Sequence, residues 1–259
     1  MVIILLLLFT SCKTNNLVTQ KTVANPSLLA VDNLDNIYKV FENRITKFRF
    51  ENDSIASFFD FNNGNISSID VKNPLQIMVF YKELQEIILL DNSLTELSKI
   101  TLNSNENSWI DLACVSNRDN SFWLFSSESQ TLNKVDKSLK TINLTKNIGQ
   151  LLSKKINPVQ LIENNNSVYL LDKNKSVLVF DLYGNYVKNI PLSGAKRIKI
   201  TPKGILYQTE KELLFFNFLS FEKTILLSFE KTVEDVEITK KGVIGISNDK
   251  IKIIYKKFK

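Results

Sequence analysis

A pair of short apolar strands recurs six times along this 259-residue chain, and that repeat limits the possible folds more than any other feature. The first member of the pair occupies residues 35–40, 76–80, 120–125, 166–171, 203–207 and 241–246. The second follows within a few residues, at 44–48, 86–90, 131–135, 176–180, 212–216 and 250–254. By subtraction, the anchors Ile45, Ile87, Leu132, Val177, Leu213 and Ile251 are 42, 45, 45, 36 and 38 residues apart. Successive side chains of a strand point to opposite faces, so period-two apolar character marks strands. A unit this small cannot bury its own apolar face and must stack on its neighbours.

Each unit contains two further strands. Turn residues follow the second strand at Asp91-Asn92-Ser93, Asp136-Lys137-Ser138 and Asp181-Leu182-Tyr183-Gly184-Asn185, where Asp, Asn and Gly supply local hydrogen bonds or positive φ. A further, outer strand comes next, as at 139–144 and 186–190, and an inner strand precedes each pair, as at 28–31 and 198–200. Four strands per repeat at this period predict an all-β, six-bladed β-propeller of four-stranded blades over residues 17–259. The pattern resembles the propellers of the NHL and related families. It lacks the Gly-His and Trp-Asp marks of WD40 repeats and the double Gly of kelch blades. A two-sheet sandwich is the main alternative, and six units at near-constant spacing favour the ring. The last repeat ends after its third strand, so the alternating segment 17–23 is expected to supply the fourth strand and close the ring.

The N-terminus carries a different signal. Residues 2–9 are uniformly apolar, too few to span a bilayer as a helix but suited to the core of an export signal. Thr10-Ser11-Cys12 follows and resembles the bacterial lipobox, although no Lys or Arg precedes the apolar run. The resemblance implies a signal peptide over 1–11, a lipidated Cys12 with a tether over 12–16, and an extracytoplasmic, membrane-anchored protein. Lys13 stands where some lipoproteins carry an inner-membrane retention Asp, which favours the outer membrane.

Composition narrows the chemistry. The chain has no histidine, which removes the usual general base of Ser and Cys nucleophiles and the commonest zinc ligand. A formal charge of +6 permits contact with anionic surfaces, but the lysines are scattered except in the tail 250–259. With Cys12 lipidated, Cys114 has no intramolecular partner and reads as a buried core residue. Lys47-Phe48-Arg49-Phe50 reads as exposed basic residues alternating with buried Phe, and export argues against nucleic acid as a partner. Trp109 and Trp123 both read as core. Ile148, Leu151, Leu152 and Ile156 fall at helical spacing and predict a short amphipathic helix between the third and fourth repeats.

Candidate binding residues lie in the loops joining the second and third strands of each blade: Glu42, Lys82, Glu83, Glu128, Lys173, Glu210 and Asp249. Together they give a mixed-charge rim. No catalytic residue and no metal ligand set is assigned. Asp32, Asp70, Asp111 and Glu163 could converge on the central channel and hold Ca²⁺, as in propeller lactonases and esterases that this arrangement would resemble. No Gly-rich phosphate loop, paired-Cys motif or nucleophile elbow is present. The leading expectation is a membrane-anchored scaffold or protein-binding module of the cell envelope, without a cofactor. A Ca²⁺-dependent hydrolase of lactones, esters or glycans and a glycan-binding lectin are the alternatives.

Overall fold

The computed structural model describes residues 28–49, 54–61, 64–102, 109–117, 120–164, 166–173, 176–230, 233, 235–240, 242–247 and 250–255. The proposed leader, Cys12, the tether, the strand at 17–23 and Asp249 lie outside the described residues.

The described chain forms six antiparallel sheets, each built from strands consecutive in sequence. The first holds β1 (Leu28–Val31), β2 (Ile37–Phe41), β3 (Arg44–Phe48) and β4 (Ser54–Phe59). The second holds β5 (Ser68–Asp70), β6 (Ile77–Tyr81), β7 (Glu86–Leu90) and β8 (Glu96–Thr101). The third holds β9 (Leu112–Val115), β10 (Phe122–Ser126), β11 (Thr131–Val135) and β12 (Thr141–Leu144), and the one-turn helix α1 (Ile148–Leu151) follows it. The fourth comprises β13 (Pro158–Asn164), β14 (Ser167–Asp172), β15 (Ser176–Asp181) and β16 (Tyr186–Pro191). The fifth comprises β17 (Arg197–Thr201), β18 (Gly204–Gln208), β19 (Glu212–Asn217) and β20 (Lys223–Ser228). The sixth has three strands, β21 (Asp235–Thr239), β22 (Gly242–Ser247) and β23 (Lys250–Tyr255). The chain is thus an all-β propeller, and its described residues form five four-stranded blades and a sixth sheet of three. Both recurring strands of the sequence repeat are the middle strands of these sheets.

Strand alternation explains why the middle strands are buried on both sides. In β6, Ile77, Val79 and Tyr81 pack toward Tyr38, Val40 and Ile45 of the first sheet. The intervening Met78 and Phe80 pack toward Phe122, Leu124 and Val135 of the third. All five residues are at most 1% exposed, and at roughly 1.5–3 kcal/mol per fully buried large side chain these interfaces dominate the stability. The same arrangement continues through the third and fourth sheets (Trp123, Phe125, Leu170, Phe180), the fourth and fifth (Leu171, Val179, Ile205, Phe216), and the fifth and sixth (Leu213, Val236, Val243). Ile244 and Ile246 of β22 then meet Leu29 and Ile37 of the first sheet, which closes the circle.

Side-chain amides bind one sheet to the next. Gln85 accepts the Ile110 N–H and donates to its carbonyl, both at 2.8 Å. Gln130 does the same at Ile156, and Gln160 at Ile198. Each Gln completes the backbone bonding of the chain entering the next blade, a pairing that would otherwise leave buried polar groups unmet.

Three expectations need correction. The helix is a single turn, and Leu151 is 54% exposed while Ile148 and Ile156 are buried. Ser153, at φ 51, turns the chain out of the helix before a second turn can form. Trp109 is half exposed, because β9 begins only at Leu112 and leaves Trp109 in the preceding connection; Trp123 is fully buried. Lys47 is buried, not exposed: its ammonium crosses to the second sheet and donates to the Asn92 carbonyl at 2.8 Å and to Asn92 Oδ1 at 2.6 Å.

Gly204 opens β18 where an added Cβ would lie 2.0 Å from the Phe216 carbonyl oxygen of the adjacent strand. Gly204→Ala should therefore cost at least the roughly 1–3 kcal/mol typical of overpacking, because backbone must move. Urea unfolding at equilibrium measures this, and a variant as stable as the wild type would contradict the packing described.

Candidate functional site

The six inner strands β1, β5, β9, β13, β17 and β21 surround a central channel with a cavity of about 340 Å³. Apolar side chains such as Leu28, Ile69, Leu112 and Ile162 share its wall with Lys72, Arg197 and Lys199. Each of these cations is paired.

At one end, Lys72 lies 3.1 Å from Asp70 and donates to the carbonyls of Val115 (3.1 Å) and Glu163 (2.9 Å), spanning the second, third and fourth sheets. Burial opposes its charge, but Asp70, helped by Glu163, holds the ammonium above the ordinary lysine value. Glu163 accepts the Trp123 indole N–H at 2.6 Å and the Asn117 amide at 2.9 Å. Cys114 is buried beside this group, and burial pushes its thiol up to about 12. It is therefore an inert core residue.

At the other end, the fifth sheet meets the sixth and the first. Arg197 pairs with Asp235 and donates to the Leu29 carbonyl, while Asp235 accepts the Leu29 amide at 2.6 Å. Two residues along each strand, Lys199 pairs with Glu237. Burial pushes Asp235 up to about 6, against the opposing pull of Arg197 and the Leu29 amide. Sequence reasoning missed this ladder because its members belong to different repeats. A signal existed: basic residues at 197 and 199 and acidic residues at 235 and 237 alternate in step, 38 residues apart by subtraction, one repeat length.

The four acidic residues singled out as possible calcium ligands do not gather. Asp32 turns back on its own hairpin, accepting the Leu34 and Asn36 amides and the Tyr38 hydroxyl. Asp70 serves Lys72, and Glu163 serves Trp123 and Asn117. Asp111 lies 2.7 Å from Lys82 and accepts the Ser127 amide at 2.7 Å. Burial works against that charge, but Lys82 and Ser127 outweigh it and hold the Asp111 carboxyl below its ordinary value. Among the described residues, no group of three or more His, Cys, Asp or Glu is placed to hold a metal ion.

The loop residues Glu42, Lys82, Glu83, Glu128, Lys173 and Glu210 all sit in turns between the second and third strands of their sheets, which places them on one face of the ring. Glu42, Glu83, Glu128 and Lys173 are exposed. Glu210 pairs with Lys196 at 2.9 Å, and Lys82 is committed to Asp111.

No protein-family model matches the chain, and no curated protein matches it in sequence. Solved structures share its fold. Streptogramin B lyase superposes with a TM-score of 0.60 at 11% identity, over 88% of this chain and 82% of the lyase. BBS1N, solved in complex with ARL6DN, gives 0.56 at 12%, over 83% of this chain and 73% of BBS1N. PorZ, a surface component of the type-IX secretion system of Porphyromonas gingivalis, gives 0.53 at 14%, over 88% of this chain and 31% of PorZ. At these identities the likeness is one of fold: the chain is a β-propeller.

Arg197→Ala tests the joint. Asp235's folded pKa lies above the ordinary 3.8, so its contribution to stability is greatest below that pH and is lost as pH rises through about 6. Removing Arg197 leaves a buried unpaired carboxylate near neutral pH, a loss of about 3–5 kcal/mol. At about pH 5 the carboxyl is protonated and the loss should shrink. Urea unfolding of both proteins at the two pH values measures this; an equal penalty at each would contradict the electrostatic account.

Proposed function

We propose that this chain is a non-enzymatic propeller that binds a protein partner in a bacterial cell envelope, tethered to a membrane, the outer membrane favoured, by lipid on Cys12. We further infer that residues 17–23 pair with β23 and bring the sixth sheet to four strands. Its resemblance to NHL-type propellers is one of repeat pattern and is consistent with this reading.

The observation that carries the binding reading is the division of labour among charges. The channel's cations and carboxylates are spent on one another and on backbone groups, whereas Glu42, Glu83, Glu128 and Lys173 project from loops on one face. A rigid ring presenting loops of both charges suits protein recognition. Among the structures that share its fold, BBS1N was solved in complex with ARL6DN and PorZ is a bacterial surface component. The closing strand is supported by the three-stranded sixth sheet, since an unpaired strand edge is a liability that proteins avoid.

Two experiments test the proposal. Cys12→Ser should move the protein from the membrane to the soluble fraction, and persistent membrane association would contradict lipid anchoring. In-cell cross-linking of the wild type should recover an envelope protein that the folded triple variant Glu42→Ala, Glu83→Ala, Glu128→Ala no longer captures. Equal recovery by both would remove the loop face as the binding surface.

A further inference from the structure

We propose that the central channel binds an uncharged, largely apolar small molecule on the ring axis, with the ligand's polar group meeting the Ser68 hydroxyl. The pocket depends on neither the anchor nor the loop-face partner proposed above, so either reading can fail without the other.

The charges of the wall already have partners, and this sets the charge of the ligand. Lys72 is held by Asp70 and two carbonyls, Arg197 by Asp235 and the Leu29 carbonyl, and Lys199 by Glu237. At the rim, Asp111 pairs with Lys82 and Lys196 with Glu210. Every cation and carboxylate lining the cavity is therefore compensated. A charged ligand would have to displace one of these partners or stay uncompensated away from water, and either is costly. A neutral ligand meets no such penalty.

The rest of the wall is mainly apolar and incompletely covered. Leu28, Val31, Ile69, Leu112 and Ile162 line the cavity without being buried, and Val159 is 46% exposed. In an ordinary core such side chains would close on one another. Here hydrogen bonds between inner strands hold the wall open: Asp70 accepts the Val115 amide at 3.1 Å, Lys72 reaches the third and fourth sheets, Gln160 joins the fourth to the fifth, and Arg197 joins the fifth to the sixth and first. The blade interfaces behind these strands are packed, so the strands cannot move inward without breaking them.

An apolar void forfeits dispersion contacts that a fitting molecule restores. Water suits such a wall poorly, since an ordered water needs about two to four polar partners. The cavity of about 340 Å³ lies within the range of roughly 300–1,000 Å³ usual for small-molecule sites. Scaled from a cavity of about 150 Å³ that takes benzene, it has room for roughly a dozen non-hydrogen atoms, the size of a fused two-ring system.

Ser68 supplies the polar contact. Among the uncharged polar side chains of the wall, Gln160 gives both ends of its amide to Ile198, Ser67 accepts the Lys82 amide, and Asn164 donates to the Ile200 carbonyl at 3.4 Å. The Ser68 hydroxyl, on β5, has no hydrogen-bond partner among the described residues. It can donate to or accept from a hydroxyl or carbonyl of the ligand.

Naphthol, naphthoate and naphthylmethylammonium test this, because they share one two-ring body and are neutral, anionic and cationic at neutral pH. Titrated into the full chain and followed by probe fluorescence, naphthol should bind saturably and at least about tenfold more tightly than either ion. Leu112→Trp fills the cavity and should weaken naphthol at least about tenfold in a protein that circular dichroism shows to be folded. Leu28→Trp, from the first sheet, serves where Leu112→Trp does not fold. Ser68→Ala should weaken naphthol about threefold or more and leave naphthalene, which lacks the hydroxyl, unchanged. Absence of saturable naphthol binding, or equal binding of the three probes, overturns the proposal. Unchanged naphthol affinity in the folded Trp variant, or in Ser68→Ala, overturns it as well.

Discussion

A sheet that is apolar on both sides needs a neighbour on each, and in a ring the last sheet must meet the first. Every blade depends on that closure, because the middle strands have no water-tolerant face to expose. Here it is made by Ile244 and Ile246 against Leu29 and Ile37, and by Asp235, which holds the β1 backbone at Leu29 while Arg197 reaches across from the fifth sheet. Apolar burial supplies most of the energy, and the ion pairs fix which residue meets which. One charged cluster thus joins the consecutive fifth and sixth sheets to the first, which lies 168 residues from Arg197 at Leu29.

The same economy shapes the surface. Channel charges are neutralised internally, Lys72 at one end and Arg197 and Lys199 at the other, so the ring is stiffened at its axis. What remains for protein recognition are the two faces, where Glu42, Glu83, Glu128 and Lys173 project from the loops of one, and Leu219 and Phe221 from a turn of the other.

The fold was legible because its signal is repeated. Six copies of a strand pair at near-constant spacing mark the middle strands of the five four-stranded blades and of the three-stranded sheet, and the turn carboxylates Asp91, Asp136 and Asp181 adopt the local bonding that their type and position suggest. Individual side chains were less legible. Lys47 is buried because a carbonyl and an amide oxygen from the next blade await it, which alternation within its own strand cannot reveal. Trp109 is exposed because the strand starts three residues later than the apolar letters suggest. Asp32, Asp70, Asp111 and Glu163 share a position near the inner strands, yet each finds a different partner, so common placement did not make a common site. The Arg197–Asp235 and Lys199–Glu237 ladder needed the repeat length to be applied to charges as well as to apolar residues.

The central claim is a ring completed by its own N-terminal strand. Native-state amide hydrogen exchange, read peptide by peptide across 17–23 and 250–255, tests it most directly. The account predicts that both segments are protected and open together with the blades. Exchange at 17–23 as fast as in an unfolded chain, with the blades still protected, would contradict it.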